Sequence, residues 1–69
     1  MVTVSVNDEF RDFAKPVSLE VVLQEYRERN PNAAFAVAIN GEFLPRARYG
    51  TVLLKDGDAI DIVSPVGGG

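Results

Sequence analysis

Residues 18–31 read Ser-Leu-Glu-Val-Val-Leu-Gln-Glu-Tyr-Arg-Glu-Arg-Asn-Pro. This segment has the clearest helical pattern in the chain, and the other elements can be placed around it. Its apolar residues recur at positions i, i+3, i+4 and i+7, which is one face of a helix. These residues are Leu19, Val22, Leu23 and Tyr26. Ser18 is a good N-cap, and Pro31 disfavours helical geometry at Asn30. The pattern predicts a helix that begins after Ser18 and ends near Asn30.

A β-hairpin is predicted upstream of the helix. Residues 2–6 alternate between valine and a small hydroxyl residue, which is the period of a strand with one buried face. Residues 7–9 supply turn chemistry, and residues 10–14 follow as the return strand. Phe10 and Phe13 cannot both face the core unless the strand bulges or ends early, and we expect Phe13 to be the core residue.

Several short strands are predicted downstream of the helix. Residues 35–39 alternate with Phe35, Val37 and Ile39 on one face, and Asn40-Gly41 is a strong signal for a tight turn. The remaining elements, in order, are a short strand at 42–44, a loop or single helical turn at 46–50, a short strand at 52–54, a turn at 55–58 and a last strand at 59–64.

This order of elements predicts an α+β fold. A hairpin, a helix and further strands form a mixed sheet of four to five strands with the helix packed on one face. The first and last strands are rich in branched residues, which suits central positions in the sheet. This is the β-grasp, or ubiquitin-like, arrangement. We expect residues 1–64 to form the domain and residues 65–69 to form a flexible C-terminal tail.

Size and composition narrow the class of protein. Sixty-nine residues make one domain, and 46% hydrophobic residues are too many for a disordered chain. The net charge of −3 argues against nucleic-acid binding, which needs a basic patch. No apolar run approaches the roughly 20 residues that span a membrane. Without cysteine the chain forms no disulfides, so we expect a cytoplasmic protein.

The sequence lacks the usual reactive side chains. It contains no cysteine and no histidine, and we therefore expect no catalytic residue, no metal site and no bound cofactor. An enzyme is the least favoured class, because its best acids and bases would be Asp56, Asp58 and Asp61, and carboxylates in turns are usually solvated. The candidate reactive group is instead the backbone carboxylate of Gly69, at the end of residues 66–69.

The glycine run suits a carboxylate that enters another protein's active site. Fully extended, residues 65–69 would reach roughly 16–18 Å. Glycine has no Cβ, so the walls of a channel can close around it. A carboxylate converted to a mixed anhydride with AMP becomes reactive, and its oxygen can then be replaced by sulfur to give a thiocarboxylate. Neither step needs a side chain of this protein.

The sheet face that points away from the helix is a candidate docking surface. Its predicted residues are small, and they include Thr3, Ser5, Ala36, Ala38, Asp61 and Val63. One interpretation is an ordinary solvent face. The other is a flat surface for a partner, with Val63 and Val66 as apolar anchors beside Ala36 and Ala38. Both interpretations stay open at this point.

Three motifs give the chain a family resemblance. They are residues 37–42 followed by Pro45-Arg46, the turn at residues 55–58, and the glycine terminus at residues 66–69. In these motifs, and over nearly its full length, the chain resembles the ThiS family, the sulfur carrier proteins of thiamine biosynthesis. This family is ubiquitin-like and related to the small subunit of molybdopterin synthase.

The resemblance implies a route in which partner proteins act on the tail. A ubiquitin-activating-enzyme-like adenylyltransferase (ThiF type) would adenylate the Gly69 carboxylate with ATP and magnesium. A sulfur donor such as a cysteine desulfurase would supply sulfur, and thiazole synthase (ThiG type) would accept it. Gly69 is then the modified residue, Gly68 its required neighbour and Gly67 an extension of the tail. The protein is expected to be a carrier and not an enzyme, and a monomer when free.

Two other interpretations remain. The chain could carry sulfur for molybdopterin or for tRNA thiolation, with the same chemistry at Gly69 and a different acceptor. It could also be a plain ubiquitin-like interaction module, or a modifier that is conjugated to lysines.

Overall fold

The computed structural model describes residues 1–64, in which five strands form one sheet beside an α-helix. The elements in chain order are β1 (Val2–Val6), β2 (Glu9–Phe13), α1 (Leu19–Arg29), β3 (Ala36–Ile39), β4 (Glu42–Leu44), a 3-10 helix (Arg46–Thr51) and β5 (Ala59–Val63). The predicted tail at residues 65–69 lies outside the described residues.

The sheet has the strand order β2-β1-β5-β3-β4. Strands β1 and β5 pair in parallel, and the other neighbours pair antiparallel. The first and last strands are therefore central, as their branched residues predicted. Within residues 1–64, the mixed sheet with one α-helix confirms the predicted α+β, β-grasp fold.

The hairpin between β1 and β2 is closed by a two-residue turn. Asn7 and Asp8 both have positive φ, 51° and 71°, which matches the right-handed twist of the two strands. The register places Phe13 opposite Val2, and Phe13 packs against the core. Phe10 is 78% exposed. The prediction that Phe13 is the core residue is confirmed, and the register contains no bulge.

The helix begins and ends where the sequence predicted. The Ser18 hydroxyl accepts a hydrogen bond from the Glu20 N–H at 3.1 Å, and Asn30 is the C-cap. The apolar stripe enters the core, which consists of Val2, Val4, Leu19, Val22, Leu23, Val37, Tyr49, Leu54, Ile60 and Ile62. Tyr26 packs at the border of this core.

An aromatic cluster covers one border of the core. The Phe35 ring meets Tyr26 edge-on, with ring centroids 5.1 Å apart, and lies nearly parallel to the ring of Tyr49 at 6.4 Å. Tyr49 lies in the 3-10 helix, Arg46–Thr51, and is buried there. The prediction of a loop or single helical turn after Pro45 is thus confirmed as a short helical segment.

The predicted strand at residues 52–54 is wrong. The backbone of this segment pairs with the chain that enters α1, through an isolated bridge between Ser18 and Leu53 and a hydrogen bond of 2.9 Å from the Leu54 N–H to the Val17 carbonyl. Leu54 is fully buried, whereas Leu53 is 58% exposed. Leu54 therefore belongs to the core although its segment is not a strand of the sheet.

Replacement of Leu54 by alanine is expected to lower the free energy of unfolding by about 2–5 kcal/mol, because it leaves a cavity in the core. Replacement of Leu53 by alanine is the matched control, and we expect a change within about 0.5 kcal/mol because the side chain is mostly exposed. Urea unfolding of both variants measures the difference. Equal losses would contradict the assigned orientation of this segment.

An ion pair joins β2 to α1. Both terminal nitrogens of Arg11 donate to the Glu25 carboxylate, and the contact from Nη2 to Oε2 is 3.0 Å long. The hydrogen bond from Arg11 lowers the pKa of Glu25 below its usual value, against an opposing effect of burial. Both side chains are about two-fifths exposed, so water screens much of their attraction.

Replacement of Glu25 by glutamine is expected to lower stability near neutral pH by about 0.2–1 kcal/mol. Because the folded-state pKa of Glu25 is lowered, the ion pair stabilises the fold above the unfolded-state pKa and loses this effect as pH falls through the folded-state pKa. The difference from the parent should therefore vanish in acid. Glu28, which forms no salt bridge within residues 1–64, is the charge-matched control in the same pH series of urea unfolding. A deficit that persists in acid would contradict this assignment.

Candidate docking face and C-terminal exit

The strand register separates the sheet into a core face and an outer face. Val4, Val37 and Ile62 point to the core and are buried. Successive residues of a strand point to opposite faces. The outer face is therefore formed by Thr3, Ser5, Phe10, Asp12, Ala36, Ala38, Phe43, Ala59, Asp61 and Val63.

Four residues of the outer face form an apolar patch on β3, β4 and β5. Ala36 lies opposite Val63, and Ala38 lies opposite Phe43. Phe43 is 71% exposed and Val63 is 46% exposed, whereas Ala38 is buried. A large exposed ring thus stands beside a recessed surface of small side chains. We call these four residues the apolar patch.

Three members of the apolar patch, Ala36, Ala38 and Val63, were predicted from the sequence, whereas Phe43 was not. The signal was present in the turn at Asn40-Gly41, because a two-residue hairpin fixes the pairing on either side of it. That register places Phe43 across from Ala38. The exposed fraction of Phe43 could not be read in this way, since it depends on what else covers the sheet.

The charged residues of the outer face are acidic. Asp61 is exposed and lies opposite Ala38, at the border of the apolar patch. Asp12 lies on the outer strand β2, where it accepts a hydrogen bond of 2.8 Å from the Thr3 hydroxyl. Among the strand residues of this face within residues 1–64, none is Lys or Arg. Such a face complements a partner whose contact surface is apolar with a basic border.

Strand β5 ends within the apolar patch. Val63, a member of the patch, is the last residue of β5, and the hydroxyl of Ser64 donates to the Ala34 carbonyl at 3.3 Å. The residues predicted to reach a partner's active site therefore follow directly from the candidate docking face. Val66, Gly67, Gly68 and Gly69 lie outside the described residues, and their roles stay predictions.

Two of the three carboxylates considered for acid–base chemistry, Asp56 and Asp58, accept structural hydrogen bonds, and the third, Asp61, is exposed on β5. Asp58 is buried and accepts hydrogen bonds from the Lys55 N–H at 2.8 Å and from the Asn40 side-chain amide at 3.1 Å. Asp56 accepts a bond of 2.8 Å from the Thr3 N–H. No group of three His, Cys, Asp or Glu within residues 1–64 is placed to hold a metal ion. In the same part of the chain, no helix is both long and apolar enough to cross a membrane.

The fold and the surface together define a β-grasp protein whose last strand ends beside a candidate docking face. The family model of the ThiS family matches residues 4–69. The chain therefore belongs to the ThiS family, the small sulfur carrier proteins of thiamine biosynthesis.

Known proteins with similar chains agree with this assignment. The crystal structure of the thiamine biosynthesis protein ThiS from Geobacter metallireducens superposes with a TM-score of 0.77, at 26% identity, and the match covers 99% of this chain and 100% of that one. A thiazole synthase of Paramagnetospirillum magneticum is 34% identical over 64 residues, which are 93% of this chain and 19% of that protein. The uncharacterized protein ycf40 of Pyropia yezoensis is 31% identical over 68 residues, which are 99% of this chain and 93% of the relative.

Proposed function

We propose that this protein carries sulfur for thiazole formation as a thiocarboxylate on Gly69. The observation that carries the proposal is the match to the ThiS family model, which extends through Gly69. The likeness to part of a protein named thiazole synthase supports the thiazole ring as the destination of the sulfur. The chain spans only 19% of that relative's length, so the activity of the relative as a whole is not transferred.

The proposed chemistry takes place on the backbone carboxylate. A carboxylate oxygen attacks the α-phosphorus of ATP on a partner adenylyltransferase, pyrophosphate leaves, and an acyl adenylate forms. Magnesium on the partner neutralises the phosphate charge. A sulfur nucleophile then attacks the carbonyl carbon, and one oxygen leaves with AMP. Where the sulfur arrives as a persulfide from a cysteine desulfurase, a thiol reduces the acyl disulfide to the thiocarboxylate.

The domain contributes binding and not catalysis. Docking of the apolar patch on the adenylyltransferase, and later on thiazole synthase, would hold the glycines of residues 67–69 near each active site. Ordering a glycine segment costs conformational entropy, and contacts of the docking face offset that cost. The acidic border at Asp61 favours partners with basic contact residues.

Incubation with ATP, magnesium, the partner adenylyltransferase and a sulfur donor is expected to change the intact mass of the chain by one oxygen-to-sulfur exchange. Mass spectrometry of the C-terminal peptide should place the exchange on Gly69, because the carboxylate is the group that the adenylate activates.

Two variants test the requirement for a free carboxylate at this position. A chain extended by one residue beyond Gly69 should gain no sulfur, and a chain that lacks Gly68 and Gly69 should not be adenylated. Thiazole synthesis in a reconstituted mixture should require the sulfur-loaded parent. The proposal is wrong if the extended chain supports thiazole synthesis as well as the parent does.

Replacement of Phe43 by alanine is expected to weaken docking on the adenylyltransferase about tenfold or more, because the ring is the largest exposed apolar group of the patch. Isothermal titration calorimetry with the adenylyltransferase measures the dissociation constant. Phe10 provides the matched control, since it is equally exposed on the same face but lies on β2, away from the patch. The Phe10→Ala variant should bind within about twofold of the parent. Equal weakening by both variants would place the docking surface elsewhere.

A further inference from the structure

Two asparagine side chains hold the central strand β5, one near each end. Asn7 lies in the turn between β1 and β2, and Asn40 lies in the turn between β3 and β4. Their backbones have almost the same left-handed conformation, with φ of 51° and 52°. Asparagine tolerates this region better than most residues. The side-chain amide of Asn7 also bonds to β5, and that of Asn40 bonds to β5 and to Asp58, the residue before β5. Each asparagine therefore connects its turn to the central strand.

Asn7 continues the parallel ladder after β1 has ended. Its N–H donates to the Ile60 carbonyl at 2.9 Å. Its side-chain oxygen then accepts from the Ile62 N–H at 2.8 Å, and its side-chain nitrogen donates to the Ile62 carbonyl at 3.2 Å. One amide side chain thus bonds to both backbone groups of Ile62, which a continued parallel strand would bond through two residues.

These bonds lie at the point where β5 would otherwise have a free edge. Strand β1 ends at Val6, whereas β5 runs on to Val63. On the opposite edge, β3 pairs with β5 as far as Val63. Near the end of β5, the Asn7 side chain therefore takes the place of a β1 residue, opposite the pairing with β3.

Asn40 makes an equivalent set of bonds at the beginning of β5. Its side-chain oxygen accepts from the Ala59 N–H at 2.9 Å, and its side-chain nitrogen donates to the Asp58 carboxylate at 3.1 Å. Its own N–H donates to the Ala59 carbonyl at 2.8 Å. The chain thus contains two similar amide clamps, one beside the C-terminal exit and one at the far end of the same strand.

We infer that Asn7 is a positioning residue that fixes the direction in which the chain leaves the sheet at Ser64, and so aims Gly69 at a partner's active site. The inference rests on the proposed function of Gly69. While a partner's active site holds this segment extended, a shift at its base displaces its end, and five extended residues span roughly 16–18 Å. Small misplacements of a reacting group can cost about 100-fold in rate.

The expected consequence is a loss of kcat with little change in KM. The apolar patch makes the docking contacts and does not include Asn7, so the docked complex should form normally. Without the clamp, a larger share of docked complexes would hold the carboxylate out of reach of ATP. Adenylation at saturating carrier concentration would then slow.

The test compares Asn7→Gly with Asn40→Gly. Glycine adopts positive φ without strain, so each variant keeps its turn and loses one amide clamp. Both should lower Tm to a similar extent. In ATP–pyrophosphate exchange with the adenylyltransferase, Asn7→Gly should lower kcat about tenfold or more and leave KM within about twofold, whereas Asn40→Gly should leave both within about twofold. Asn7→Asp, which keeps the acceptor for the Ile62 N–H and loses the donor, should give an intermediate kcat.

Several outcomes overturn the inference. An equal loss of kcat in both glycine variants would mean that the clamps act through stability alone. An unchanged kcat in Asn7→Gly, or a change confined to KM, would remove Asn7 from the positioning of the carboxylate. A parent chain that supports no pyrophosphate exchange would instead disprove the proposed function.

A measurement on the free protein tests the clamp without any partner. The Ile62 amide should exchange with solvent deuterium at least about tenfold faster in Asn7→Gly than in Asn40→Gly, since only the first variant removes its acceptor. Equal exchange rates in the two variants would show that Asn7 does not hold the end of β5, and would overturn the inference whatever the partner does.

Discussion

The parallel pairing of β1 with β5 is the constraint on which the rest of the structure depends. It joins the start of the chain to its end, as in the pairing of Val6 with Ile60. Parallel neighbours cannot be joined by a tight turn and need a long connection. Here the connection supplies β2, α1 and the β3–β4 hairpin, which flank or cover the central pair. The loop-closure entropy of such a distant contact is offset by the burial of both strands in one core.

Because β5 is central, the candidate docking face lies close to the point where the chain leaves the sheet. Ile60 and Ile62 point into the core, whereas Asp61 and Val63 point to the outer face. One strand of five residues therefore anchors the fold, contributes to the candidate docking face and precedes the C-terminal segment. Under the proposed function, this arrangement fixes the start of the reactive segment relative to the surface that binds the partner.

Most features that were predicted from the sequence are local, and those that were missed depend on distant residues. The helix follows from the spacing of Leu19, Val22 and Leu23, because its buried face repeats within two turns. The segment that ends in Leu54 was mistaken for a strand, since an apolar pattern indicates burial but not which part of the chain the segment pairs with. Asn7 was interpreted only as turn chemistry, because the amide's partner, Ile62, lies 55 positions away in sequence. The register beside Asn40-Gly41 was within reach, yet the exposure of Phe43 required the whole sheet.

The proposed chemistry places two opposite structural requirements on the C-terminal part of the chain. The carboxylate must enter the narrow active sites of different enzymes, which favours glycine because its backbone has no Cβ and many accessible conformations. The base of the segment must keep a constant direction, which favours strand pairing on both edges. Pro65 separates the segments that meet these two requirements, because it has no N–H to continue a ladder. Asn7 adds hydrogen bonds to the strand before that boundary, where β1 no longer pairs with β5. Under the proposed function, a carrier that has neither cysteine nor histidine would depend on the geometry with which its domain holds the start of this segment.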